Sequence, residues 1–71
     1  MNIYELNKGD KVSVYFTFNG GAGSGSSGSA EVEGIVYKVE DNVLKIKRER
    51  YGKVERVSIN ARDIIRLQKF N

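Results

Sequence analysis

The chain contains no cysteine, no histidine, no proline and no tryptophan among its 71 residues, and only one methionine. Without cysteine there is neither a disulfide framework nor a thiol nucleophile, and with histidine also missing a structural zinc site has no nitrogen or sulfur ligands. The commonest acid–base group near neutral pH goes with histidine. Carboxylates remain, but Glu31 and Glu33 stand two apart on a strand-like segment where they are expected to be solvated, and Glu40-Asp41 reads as a turn. The chain therefore reads as a non-enzyme with no cofactor. No apolar run approaches the ~18 residues of a membrane span, and MNIYELNKGD lacks the basic start and apolar stretch of a signal peptide. The expectation is a cytoplasmic protein with no membrane partner. A single domain over residues 1–71 is all this length allows. So small a core leaves assembly into a dimer or ring as an open alternative.

Glycine is present but unevenly spread. Five of the eight glycines lie in Gly20 to Ser29, GGAGSGSSGS, a tract of Gly, Ser and a single Ala. Such a composition cannot bury apolar surface and is expected to behave as flexible coil, with ends ~16–19 Å apart. Natural loops of this size use Asn, Asp, Lys or Pro for defined turns, so residues 20–29 read as an engineered linker in place of a native loop. Gly23, Gly25 and Gly28 spell a literal GxGxxG, but the chain runs on into the strand-like AEVEGIVYKV instead of opening a helix. A phosphate-binding fingerprint needs that helix N-terminus.

The rest of the chain alternates. Val12, Val14, Phe16 and Phe18 interleave with Ser13, Tyr15 and Thr17, a period of two that marks a half-buried strand, entered through the turn Lys8-Gly9-Asp10. Ahead of it, Ile3, Tyr4 and Leu6 fit one helical turn or an extended arm, with Tyr4 and Leu6 expected to cover the end of the core. The second strand, AEVEGIVYKVED, is expected to carry Val32 and Val36 on one face and Ile35, Tyr37 and Val39 on the other. Gly34 inside it signals a bend or a close backbone approach. A turn at Glu40-Asp41-Asn42 leads into VLKIKR, with Leu44 and Ile46 inward and Lys45 and Lys47 outward; a second turn at Arg50-Tyr51-Gly52-Lys53 leads into VERVSI, with Val57 and Ile59 inward. Asn60-Ala61-Arg62-Asp63 suits one 3₁₀ turn capped by Asn60. In the last strand, IIRLQKF, Ile65 and Leu67 are expected on one face and Ile64 and Phe70 on the other. No segment has the length of helical periodicity that a parallel crossover demands.

This order of five short strands, with a bent second strand and a 3₁₀ turn before the last, resembles the small SH3-like barrels and in particular the Sm-like branch of that superfamily. The stretches that carry the resemblance are GDKVSVYF, VEGIVYKVEDNVLKI and ERVSINARDIIRL. The resemblance implies an all-β, five-stranded SH3-like (Sm-like) barrel. RNA-binding members place an Asp or Asn pair in the turn after the bent strand and an Arg-Gly-Asp or Arg-Gly-Asn tripeptide before the last strand. Asp41 and Asn42 match the first loosely, whereas Arg62 and Asp63 occur without the intervening glycine.

Charge divides the chain. The formal net charge is +3, but every excess cation lies after Asp41, and between Lys45 and Arg56 six basic residues meet only Glu49 and Glu55. Lys45, Lys47, Arg48, Arg50, Lys53 and Arg56, with Tyr51 interleaved, form a candidate grip for RNA or DNA, in which cations neutralise phosphates and Tyr or Arg stacks on an unpaired base. Arg62, Arg66 and Lys69 are helpers, while Tyr15 and Tyr37 are expected to pack. The function expected is a non-catalytic nucleic-acid-binding module. Exposed Lys and Arg also guard strand edges against aggregation, so two alternatives stay open: a protein-interaction or self-assembly barrel, and a loop-shortened scaffold with no activity of its own.

Overall fold

A computed structural model describes residues 2–19 and 27–70. The chain forms a 3₁₀ turn at Ile3–Glu5, then strands β1 (Lys11–Asn19), β2 (Ser27–Glu40), β3 (Val43–Arg50) and β4 (Lys53–Asn60), a second 3₁₀ turn at Ala61–Asp63, and β5 (Ile64–Lys69). Among the described residues all pairing is antiparallel, in the order β4-β3-β2-β1-β5. The sheet is open: among the described residues no ladder joins β4 to β5. No helix of the described residues is long and apolar enough to cross a membrane.

Alternation builds the core. Val12 and Val14 of β1, Val32 and Val36 of β2, Leu44 and Ile46 of β3, and Ile59 of β4 are buried together, with Ile3 and Leu6 closing one end. Ile3 reaches the core because Asn2 starts the first 3₁₀ turn. The Asn2 side chain accepts from the Tyr4 amide at 2.9 Å, and Glu5 reaches back to the Asn2 amide. Asp10 fastens the entry to β1: its carboxylate accepts from the Asn7 amide at 2.8 Å and lies 3.5 Å from Lys69 Nζ. Tyr4 departs from the expected covering role. Its ring is exposed, and its hydroxyl instead accepts from the Asn42 amide at 2.8 Å.

Two tight hairpins set the register. Asp41 and Asn42 both have positive φ (52° and 62°), as do Tyr51 and Gly52 (53° and 76°), which gives each two-residue loop the left-handed backbone that matches strand twist. The second 3₁₀ turn forms as expected, with Asn60 Oδ1 accepting from the Arg62 amide at 3.1 Å. Gly34 is a site of close approach. A Cβ added there would lie 2.5 Å from Ile46 Cγ2 and 2.6 Å from the Lys47 carbonyl oxygen.

Two bulges overturn two of the expected faces. Between Val36 and Lys38 the β2–β3 register shifts, so Val39 lies opposite buried Leu44 and packs on the core instead of sharing the outer face with Ile35. Between Tyr15 and Phe16 the β1–β5 register shifts too. Ile64 and Leu67 therefore both pack on the core, while Ile65, expected beside Leu67, is exposed. One extra residue inverts the side-chain sense of everything beyond it. The strand also reaches further into the Gly/Ser tract than composition predicts. Ser27, Gly28 and Ser29 pair with Asn19, Phe18 and Thr17, so the expected coil over 20–29 does not include its last three residues; residues 20–26 lie outside the described residues. A neighbouring strand supplies the ladder that Gly and Ser cannot specify alone. Phe18, whose ring lies over Gly28, and Phe16, 6.4 Å away between ring centroids, mark that end of β1.

Candidate functional site

The β3–β4 hairpin carries most of the candidate residues, and its register decides which of them act together. Burial of Leu44, Ile46 and Ile59 turns Lys45, Lys47 and Glu49 of β3, with Ser58, Arg56 and Val54 of β4, to the outer face. Arg48 and Arg50, with Glu55 and Lys53 opposite them, take the other face of the ribbon. Pairing with β2 ends at Ile35↔Lys47, whereas pairing between β3 and β4 continues to Arg50↔Lys53. Residues 48–55 thus form a two-stranded tip beyond the last rung to β2.

Compensation of charge is uneven. Lys45 Nζ lies 3.5 Å from Glu40 Oε1, Arg48 Nε 3.0 Å from Glu55 Oε2, and Arg62 Nε 3.9 Å from Asp63 Oδ1. Glu40 also holds Lys38 at 3.3 Å. The hydrogen bond and charge of Lys38, reinforced by Lys45, hold the Glu40 carboxyl below its ordinary pKa of 4.5. Lys47, Arg50, Lys53, Arg56 and Arg66 have no carboxylate partner among the described residues. Four of these are set directly against one another, Lys47 opposite Arg56 and Arg50 opposite Lys53. Like charges at facing positions destabilise a sheet.

Aromatic rings accompany the uncompensated cations. Lys47 Nζ sits 5.7 Å from the Tyr37 ring centroid, and the Arg50 guanidinium 5.6 Å from that of Tyr51. Tyr51 is 91% exposed at the tip. Tyr37 is half-buried, and Tyr15, also half-buried, shares a 2.9 Å hydrogen bond with Ser29. Arg66 lies on β5 opposite Tyr15, four strands from β4 in the sheet order, and Arg62 is exposed on the second 3₁₀ turn. Those two stand apart from the hairpin tip in the sheet. Glu33 lies 3.7 Å from Lys11, and Glu31 is exposed.

Two surface depressions were not legible in the charge pattern. One, of about 320 Å³, is lined by Ile35, Lys47, Arg48, Glu49 and Val54 where β2 leaves the hairpin. Its sequence signals are Ile35 and Val54, apolar residues on the outward parities of β2 and β4. The other, of about 580 Å³, lies between the first 3₁₀ turn and β5, lined by Asn2, Tyr4, Asn42 and the aliphatic Ile3, Ile64, Ile65 and Leu67 among others. Here the Ala61 amide donates to the Asn42 carbonyl at 2.7 Å. The turn holding Asp41 and Asn42 thereby meets the one holding Arg62 and Asp63. No family model, curated protein or solved structure matches the chain.

Proposed function

We propose that the protein is a non-catalytic nucleic-acid-binding module that grips the phosphate backbone with the tip of the β3–β4 hairpin. The carrying observation is the pair of directly opposed like charges, Lys47–Arg56 and Arg50–Lys53, left without carboxylate partners among the described residues. Such an arrangement weakens the hairpin in isolation and gains from a polyanion that neutralises both pairs. Arg48, compensated by Glu55, and Lys45, compensated by Glu40, then shape the ribbon more than they bind. Arg62 and Arg66 contribute only where a long strand reaches across the sheet. The reading includes the fold as a small SH3-like, Sm-like barrel, supported by the strand order, the close approach at Gly34 and the 3₁₀ turn before β5.

The test is fluorescence-anisotropy titration of labelled RNA and DNA oligonucleotides from 25 to 300 mM salt. Four engaged cations give a slope of log K against log salt of about −3, and Lys47→Gln or Arg56→Gln each lowers its magnitude by about 1. Absence of binding at the lowest salt would refute the proposal.

A second reading, self-assembly or capture of a peptide strand, draws on the outer edges of β4 and β5, which pair with no strand among the described residues. Light scattering that gave a monomer at every concentration would count against self-assembly.

A further inference from the structure

We infer that the polyanion is single-stranded, and that one unpaired base seats in the groove between Ile35 and Val54, where Glu49 accepts hydrogen bonds from its amino group. The inference rests on the nucleic-acid reading and extends it from phosphates to bases. Its starting point is a contradiction in the hairpin. A surface meant only for phosphates has no use for exposed aliphatic side chains, yet Ile35 is 39% and Val54 63% exposed on the outer face, flanking Lys47. It has even less use for a carboxylate, yet Glu49 faces outward amid uncompensated cations and takes none of them as an ion-pair or hydrogen-bond partner among the described residues.

The register resolves both features. Ile35 pairs with Lys47, and Val54 pairs with Glu49, so the two aliphatic side chains lie diagonally across β3 with one cation and one anion between them. The depression they line holds about 320 Å³, at the small end of ligand clefts at ~300–1,000 Å³. A flat base lies on the aliphatic floor, Lys47 and the facing Arg56 hold the flanking phosphates, and Glu49 is left to read the base edge. A carboxylate is acceptor-only, so it favours bases with an exocyclic amine, cytosine, adenine or guanine, over uracil or thymine, whose single ring N–H is flanked by two repelling carbonyls. Tyr51, two residues beyond Glu49 and backed by Arg50, offers a second stacking surface at the tip. A duplex shows base edges in its grooves but keeps its base faces stacked inside, so it has no face to lay on the aliphatic floor.

The test uses the full chain with labelled 12-nucleotide dC, dA, dT, rC and rU strands and a mixed-sequence 12-base-pair duplex, at 50 mM salt. Single strands are expected to bind at least tenfold tighter than the duplex, with dC and dA ahead of dT and rC ahead of rU; the dC and rC arms separate the sugars. Val54→Ser is expected to weaken single-strand binding by about tenfold while leaving the salt slope unchanged. Glu49→Gln removes the preference for dC over dT and raises affinity for dT. Should Val54→Ser fail to fold, methyl chemical shifts of Ile35 and Val54 in the unsubstituted protein report the same contact, moving with dC and staying still with the duplex. Duplex binding equal to or tighter than single-strand binding, or affinities indifferent to Val54 and Glu49, overturns the inference and leaves phosphate binding intact. No binding by any probe removes the underlying reading as well.

Discussion

Lys47 on β3 and Arg56 on β4 occupy facing positions of an antiparallel ladder, two cations at one rung with no carboxylate assigned to either among the described residues. Replacing one of them by an acid converts repulsion into attraction. Arg56→Glu is expected to raise stability by about 0.2–1 kcal/mol, read as a higher urea midpoint with an unchanged slope. The same substitution weakens oligonucleotide binding. A variant that gained stability and kept its affinity would show that this rung has no binding role.

Tyr51 shows a similar opposition on the backbone. Its φ of 53° puts a bulky side chain in the left-handed region, beside Gly52 at 76°. Tyr51→Asn creates Asn-Gly, the favoured pair for such a loop, and recovers part of the roughly 1–2 kcal/mol that a left-handed L-residue costs. Thermal melting is expected to shift upward while single-strand affinity falls.

At Gly34 the expected effect is loss of stability. A methyl group there meets Ile46 and, more stubbornly, the Lys47 carbonyl, so Gly34→Ala is expected to destabilise by about 1–3 kcal/mol. Gly28→Ala is the control, because the atoms nearest its Cβ belong to the exposed Phe18 ring, the first at 3.2 Å. Equal denaturant midpoints for the two variants would show that β2 and β3 have room to separate.

Tyr4 ties three segments that are remote in sequence. Its hydroxyl accepts from the Asn42 amide at 2.8 Å and bonds Asn42 Oδ1 at 3.2 Å, while the Asn42 carbonyl accepts from Ala61. Tyr4→Phe is expected to cost about 0.5–1.5 kcal/mol. Amide exchange is the sharper readout, since protection should fall at Asn42 and Ala61 before it falls in β1.

Glu40 makes stability dependent on acid. Its folded pKa lies below the ordinary 4.5, chiefly through Lys38 and then Lys45, so its contribution is complete above 4.5 and is lost as pH falls through the depressed value. Urea midpoints measured from pH 6 to 2.5 should decline less steeply for Glu40→Gln than for the parent. Both lysines are accessible to solvent, so high salt should narrow the difference.

The strands, both tight turns and the Asn60-capped 3₁₀ turn were legible because each is written locally, in alternation or in turn residues. The bulges were not. A bulge near Tyr37 or Ile65 depends on which residue of a partner strand wins the pairing, and no composition marks it, which is why simple alternation misplaces Val39 and Ile65. β2 likewise extends to Ser27 because β1 templates it. Of the candidate site, the run from Lys45 to Arg56 stood out as charge alone. Which cations are neutralised depends on register: Arg48 meets Glu55, whereas Lys47 meets Arg56. The groove was hidden for the same reason, since Ile35 and Val54 come together only across β3.

Asn19 and Ser27 form the outermost rung of the β1–β2 ladder. Facing residues in such a ladder have Cα atoms only about 4.5–5.5 Å apart, so the sheet itself holds the two chain ends in place for whatever lies between them. Each doubling of that intervening length adds only about 0.6 kcal/mol of closure entropy. The rung is therefore an insertion port. Peptides or whole domains whose own termini lie close together can be grafted between Asn19 and Ser27 at small thermodynamic penalty.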